Sequence, residues 1–247
     1  MGKNMYREDM VNTLECFYSE NGITPDGFHC KNAINCIGNL ARGMQCGIGA
    51  SYGEKCKVLI VSLDCGSGGA SSIEMRTEDI KQHLFNPHMK GTLYCASMLL
   101  NFIDPNLDNP WEKWAIEWKK KNKSVVDQAI PYFAMINSCK CCNKGTTNKL
   151  GTKYYRQCAE YKIKEIEILK PDIVIFQGKD APIGCSKYFV EIETIRDAEM
   201  SRSLKKMVLG DRTMFAIFSI HPSARQKGRV KMFMNNTFPK IVNEIFP

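Results

Sequence analysis

The sequence predicts a three-layer α/β sandwich around a central, mainly parallel sheet of four strands, flanked by helices. Three observations carry this expectation. Four short runs, KVLIVSLD (57–64), 132–136, DIVIFQG (172–178) and TMFAIFSIHPS (213–223), are almost continuously apolar, as strands buried on both faces are. Stretches of helical period separate them, and alternation of strand with helix makes a sheet mainly parallel. The runs end in polar or glycine-bearing turns, and sites in such folds gather at the carboxyl ends of the strands.

In chain order, residues 5–21 place Met10, Val11, Leu14, Phe17 and Tyr18 close to helical period, and Asn21-Gly22 gives a C-cap signal. Residues 22–54 are rich in loops and glycine and carry Cys30, Cys36 and Cys46. The strand at 57–64 feeds the loop CGSGG. Residues 92–103 read as a helix opening on Thr92. Residues 110–128 read as a helix with Trp111, Trp114 and Trp118 on one stripe and Lys119, Lys120, Lys121 and Lys123 at its end. After the strand at 132–136 and its cysteine-bearing loop comes a helix over 157–169, stopped by Pro171. Residues 198–209 read as helical, and 229–246 as a closing amphipathic helix. With no repeat and no low-complexity segment, 1–247 is expected to form one domain.

The chain has 247 residues, 44% hydrophobic and 24% charged, enough for one large domain or two small ones. No apolar run approaches the ~20 residues of a membrane span, and the N-terminus MGKNMYREDM has no apolar signal region. Those features predict a cytoplasmic protein without a membrane partner. In a reducing compartment the 12 cysteines favour metal ligation over a disulfide framework. A net charge of +8 and a pI near 8.8 suit an anionic partner, nucleic acid first.

The stretch from Asn137 to Cys158, NSCKCCNKGTTNKLGTKYYRQC, organises the rest. It leaves a strand on asparagine, passes Cys139, Cys141 and Cys142, crosses a polar loop and meets Cys158 as the next helix begins. Three thiols within four residues, and a fourth after a basic loop, are what a soft metal or an iron–sulfur cluster asks of a chain. Cys30 and Cys36 offer further thiols. Asp64 closes the first strand at a glycine loop, where a loop-capping aspartate is the plainer reading if it stands alone. Gly66, Gly68 and Gly69 let a backbone approach a ligand without completing a phosphate-binding motif. Asn137 can set a donor and an acceptor side by side against a base edge, with a turn asparagine as the equal alternative. His221, before Pro222 and Ser223, can stabilise negative charge or shuttle a proton, although a lone strand-end histidine is more often structural. The tryptophan stripe is better read as a core-facing helix than as a groove for single-stranded nucleic acid. Taken together, Asp64, Asn137 and His221 end three strands that converge on one sheet edge, with cysteines just beyond two of them.

In that combination the chain resembles the uracil-DNA glycosylase superfamily, in its iron–sulfur branch (families 4 and 5). The similarity runs from about Cys30 to Arg225 and rests on short motifs. KVLIVSLDCG resembles the first motif, FAMINSCKC the second strand with its base-reading asparagine, and CAEYKIKEIEILKPDIVIFQG the segment of cysteine, helix, strand and glycine. SIHPSAR resembles the histidine motif with its DNA-intercalating loop. The resemblance implies a [4Fe–4S] cluster on Cys30, Cys36, Cys141 and Cys158, completed by the 22–54 region, with Cys139 and Cys142 as alternatives to Cys141. The N-terminal pair is C-x5-C where the family has C-x2-C. Leu63 and Cys65 replace the usual Glu and Pro, and Asp64 aligns with a water-activating aspartate. Gly66 stands where a bulky residue excludes a 5-methyl group, which admits a 5-substituted base. The base-stacking phenylalanine is missing, and Tyr94, or less favourably Met89, takes its place.

The implied activity is a monofunctional DNA glycosylase for uracil or a modified pyrimidine, leaving an abasic site, in base excision repair or in defence against modified foreign DNA. Asp64 and His221 would be catalytic, Asn137, Tyr94 and Gly66 base-binding, and Ser223, Arg225 and Lys227 DNA-binding. The enzyme is expected to act as a monomer on DNA, double- or single-stranded. The rival readings are a non-catalytic nucleic-acid binder that keeps the fold and cluster, and a zinc-stabilised α/β protein of unrelated chemistry.

Overall fold

The computed structural model describes residues 2–25, 27–32, 39–63, 72–142, 152–198, 202–222 and 227–247. Helix α1 (Gly2–Glu20) precedes a small hairpin, β1 (Ile23–Thr24) and β2 (Gly27–Phe28), then β3 (Asn39–Gly43), β4 (Gly47–Ile48) and β5 (Val58–Ser62). Four helices follow, α2 (Ile73–Gln82), α3 (Pro87–Leu99), α4 (Pro110–Lys119) and α5 (Lys123–Val126). Next come β6 (Phe133–Asn137), β7 (Cys141–Cys142), α6 (Thr152–Gln157), α7 (Ala159–Leu169) and β8 (Ile173–Gln177). The chain closes with β9 (Val190–Ala198), β10 (Arg202–Leu209), β11 (Arg212–Ser219), α8 (Lys227–Met232) and α9 (Phe238–Ile245), the two helices joined by a π-helical turn.

The fold is α/β, with helices flanking a mixed sheet of seven strands in the order β4-β6-β5-β8-β11-β10-β9. The expected four strands are its parallel centre: β5 pairs parallel with β6 and β8, and β8 with β11. Antiparallel β4 extends one end, and the β9–β10 pair extends the other. The sheet is therefore wider than the expected four strands. Where a helix is expected at 198–209, the described residues are instead the last of β9 (Ala198) and β10 (Arg202–Leu209). Leu204 and Met207 imitate a helical spacing because both faces of β10 are covered: Leu204 joins the core on one side, Met207 and Leu209 the core on the other.

Alternation along the central strands divides the interior. Leu59, Val61, Ala134, Ile136, Val174 and Phe176 point into a core closed by α1 and α7. Val58, Ile60, Phe133, Met135, Ile173 and Ile175 point into one closed by α3, α4 and α9. The three tryptophans serve this second core, with Trp114 buried and Trp111 and Trp118 packed against it. Lys90 covers their outer side at 4.7 Å from the Trp111 ring. The helix expected over 110–128 breaks at Lys121, whose φ of 54° reverses the chain. Helix α3 begins at Pro87, five residues before the expected Thr92, because proline suits the first turn. Among the described residues, no helix is long and apolar enough to cross a membrane.

Candidate active site and cysteine centre

The loop leaving β5 leads to the helices of one face, and the loop leaving its neighbour β6 leads to α6 and α7 on the other. Adjacent strands whose chains part in this way leave a crevice beyond their carboxyl ends. Ser62 and Asn137, the last residues of β5 and β6, are register partners at that crevice. Ser138 N–H donates to the Ser62 carbonyl at 2.8 Å, tying the two ends together.

Asn137 is 2% exposed. Its Oδ1 accepts from Arg76 Nη2 at 3.3 Å, while its Nδ2 is buried and has no partner among the described residues. Arg76 also donates from Nη1 to Asp79 Oδ2 at 2.7 Å, and His83 Nδ1 lies 2.8 Å from the other oxygen of Asp79. At the end of β8, Gln177 accepts from Ser62 Oγ at 3.2 Å and donates from Nε2 to Thr92 at 3.1 Å. The strand ends are thus lined by Ser62, Asn137, Gln177 and, from the helices, Arg76 and Thr92.

His221 lies two residues beyond β11 and is half-buried. Gly178 holds the turn after β8 at φ +92°, and a Cβ there would lie 3.2 Å from His221 Cβ. A Cβ on Gly91 would come within 2.8 Å of Pro222 Cβ. These two glycines let the His-Pro turn settle against β8 and α3. Asn137 and His221 share the edge but not a neighbouring position: β5 and β8 lie between their strands, a separation of about 14 Å across three strand spacings. Ser62 and Gln177 fill the interval.

The base-stacking expectation for Tyr94 is not met by its placement. Tyr94 is fully buried, its hydroxyl donates to the Met234 carbonyl at 2.8 Å, and its ring meets Trp111 edge-on at 5.1 Å. Met89 is buried as well. Covered by α4 and α9, α3 sends Tyr94 into the core, and Thr92 is its side chain at the strand ends. Lys227 begins α8 and is exposed. Asp64, Gly66, Ser223, Arg225 and Cys36 lie outside the described residues. Sequence reading missed Arg76, Asp79, Thr92 and Gln177. Gln177 did carry a signal, a polar residue closing an apolar run as Asn137 does, whereas α2 announced itself by no motif.

Beyond β6 the described part of the cysteine loop runs through Cys139 to β7. Strand β7 pairs with β3, with Gly43 opposite Cys141, and Met44 N–H donates to the Lys140 carbonyl at 2.7 Å. The 22–54 region is thereby laced to the loop. Cys139, Cys141 and Cys158 are buried. A hydrogen bond with Cys139, helped by the Lys140 N–H and the charges of Lys140 and Lys162, brings the Cys158 thiol down to about 7 against the cost of burial. Tyr154 Oη lies 2.9 Å from Cys141 Sγ, and Cys30 bonds to Tyr161, one turn beyond Cys158 on α7. Among the described residues, no three His, Cys, Asp or Glu side chains are arranged to hold a metal ion.

No protein-family model matches the chain. A search of curated proteins finds no match either.

Proposed function

We propose that the chain is a DNA glycosylase that hydrolyses the N-glycosidic bond of uracil or a modified pyrimidine flipped out of DNA. On this reading its helices and sheet form the three-layer sandwich of that superfamily. The observation that carries it is the delivery of Asn137 and His221 to one edge of the parallel strands, with a buried Asn137 N–H unpartnered among the described residues. A buried amide donor is costly to leave unmade, so it marks a place where a ligand atom belongs.

The substrate base must leave the stack, at a cost of a few kcal/mol, before it reaches such a crevice. Basic residues after His221, Arg225 and Lys227 among them, hold the phosphates and fill the gap. Asn137 reads the edge of the extruded base. As the glycosidic bond breaks, the pyrimidine departs as an anion, and His221 donates a hydrogen bond that strengthens as this charge develops. Asp64, two residues past β5 in sequence, orients the attacking water and offsets the positive charge on the sugar. The base rests on no Tyr94 platform, since that ring belongs to the core.

The thiols fit an iron–sulfur site by their chemistry. Cys139, Cys141 and Cys158 are buried, the Cys158 thiol is held low by its hydrogen bond with Cys139, and the charges of the fully buried Lys140 and Lys162 favour a thiolate there. Cys30, Cys36, Cys141 and Cys158 would hold a [4Fe–4S] cluster, which when bound cross-links the N-terminal region, the 137–158 loop and α7.

The test is a panel of duplex and single-stranded oligonucleotides carrying uracil, hypoxanthine, xanthine or 5-substituted pyrimidines, read as abasic sites. Cleavage of at least one pyrimidine, lost on changing His221, is the expected result. Tight DNA binding without cleavage of any base would leave a non-catalytic nucleic-acid binder.

A further inference from the structure

Helix α2 brings an arginine to the strand ends that no motif announces, and a glycine permits it. A Cβ on Gly47 of β4 would lie 2.6 Å from Ile80 Cδ1 and 3.3 Å from Arg76 Cγ. With only hydrogen there, α2 packs directly on β4, and Ile48 N–H donates to Thr77 Oγ1 at 3.1 Å. Arg76 then reaches the end of β6. Its guanidinium is buried, anchored on Asp79 at 2.7 Å and bonded to Asn137 Oδ1 at 3.3 Å. Arg76 Nε, like Asn137 Nδ2, is buried without a partner among the described residues.

A guanidinium only donates, whereas an amide can turn either end to a neighbour. The atom of Asn137 facing Arg76 must therefore be its oxygen, because a reversed amide would set donor against donor. We propose that Arg76, held by Asp79, is a positioning residue that fixes the Asn137 amide in one orientation. The pocket then reads a base edge with a carbonyl beside an N–H and refuses one with an amino group beside a bare ring nitrogen. This rests on the reading of the crevice as a nucleobase pocket. Asn137 Nδ2–H donates to the carbonyl, and Oδ1 accepts the imide N–H with the lone pair Arg76 leaves unused. A 4-aminopyrimidine faces mismatches at both atoms. Unmade buried hydrogen bonds of this kind discriminate by on the order of 10²-fold or more.

Two variants separate orientation from support. Arg76→Met keeps an unbranched apolar stem and removes the donors, while Arg76→Lys keeps the positive charge on a single donor nitrogen. Each is compared with wild type on duplexes carrying a 4-oxo or a 4-amino pyrimidine with the same 5-substituent, and the ratio of kcat/KM is read. Circular dichroism checks the fold, and inhibition of wild type by free uracil and free cytosine gives a readout that needs no variant. Wild type should favour the 4-oxo base and bind uracil over cytosine. Arg76→Met should lower the ratio about 10-fold or more, with Arg76→Lys between the two. Equal action on both bases by wild type, equal inhibition by both free bases, or an unchanged ratio in folded Arg76→Met would overturn the role of Arg76 and leave the base pocket standing. A wild type that cleaves no base of the panel would overturn the pocket and, with it, this inference.

Discussion

Lys140 and Glu165 form an ion pair with no exposure on either side chain, Nζ to Oε2 at 2.5 Å. Tyr18 Oη donates to the other carboxylate oxygen at 2.5 Å, and the Cys46 N–H donates to Tyr18 at 2.9 Å. Burial pushes the Glu165 carboxyl up, and the Lys140 charge only partly opposes that shift. Because Lys140 sits between Cys139 and Cys141 and Glu165 lies on α7 beyond Cys158, the pair fastens the cysteine loop to the helix behind it.

Breaking one side of such a pair leaves an uncompensated buried charge. Lys140→Met and Glu165→Gln are each expected to cost about 3–5 kcal/mol in denaturant unfolding, with the double replacement costing less than the sum. Equal and additive losses would show that the two groups do not act together.

On the proposed glycosylase reading, His221→Ala should slow base release by on the order of 10²-fold or more while leaving DNA affinity nearly intact, since a hydrogen bond to a departing anion strengthens only as charge develops. Asp64→Asn should also slow the reaction, and the two effects need not add, because both act on one breaking bond. Single-turnover rates beside equilibrium binding check this. Full activity in His221→Ala would remove the anion-stabilising role.

If the proposed iron–sulfur cluster is held there, Cys158→Ser should lose iron and the absorbance at about 400 nm after anaerobic purification. Serine at Cys16, Cys95 or Cys185 should leave iron per chain unchanged. Cys139, Cys141 and Cys142, changed singly, identify the third ligand as the position whose loss bleaches the protein. Four irons retained in Cys158→Ser would rule out the assignment.

Alkaline pH should weaken the fold through Cys46. Burial, then the Glu165 charge, raises its thiol from 9.0 to about 12, and the buried Tyr18 is raised in the same sense. A folded value above the unfolded one means that the stabilisation is complete below pH 9 and is lost as pH climbs toward about 12. Melting temperatures from pH 8 to about 10.5 should fall in wild type and fall less in Cys46→Ser. Parallel declines would assign the alkaline loss to other groups.

The parallel strands were legible because burial on both faces leaves an unbroken apolar run, as in VLIVS and IVIFQ. The polar residue closing such a run is equally visible, which is how Asn137 and His221 could be singled out. Strands β9 and β10 were not legible, since β10 is covered on both sides by different partners and its apolar spacing imitates a helix. Tyr94 misled because an aromatic beside a motif looks the same in sequence whether it meets a ligand or a core.

By itself the sequence determined the α/β class, the parallel centre, the polar residues that close its strands and the concentration of thiols around 137–158. These follow from local periodicity and from residue types that only certain positions tolerate. The tertiary structure alone decided that the sheet has seven strands, that Tyr94 is core and Thr92 faces the strand ends, and that Arg76 meets Asn137. Each of those depends on contacts between segments far apart in the chain, with 61 positions separating Arg76 from Asn137. Whether such segments meet is settled by how closely α2 can pack on β4 at Gly47, a distance that no local pattern encodes.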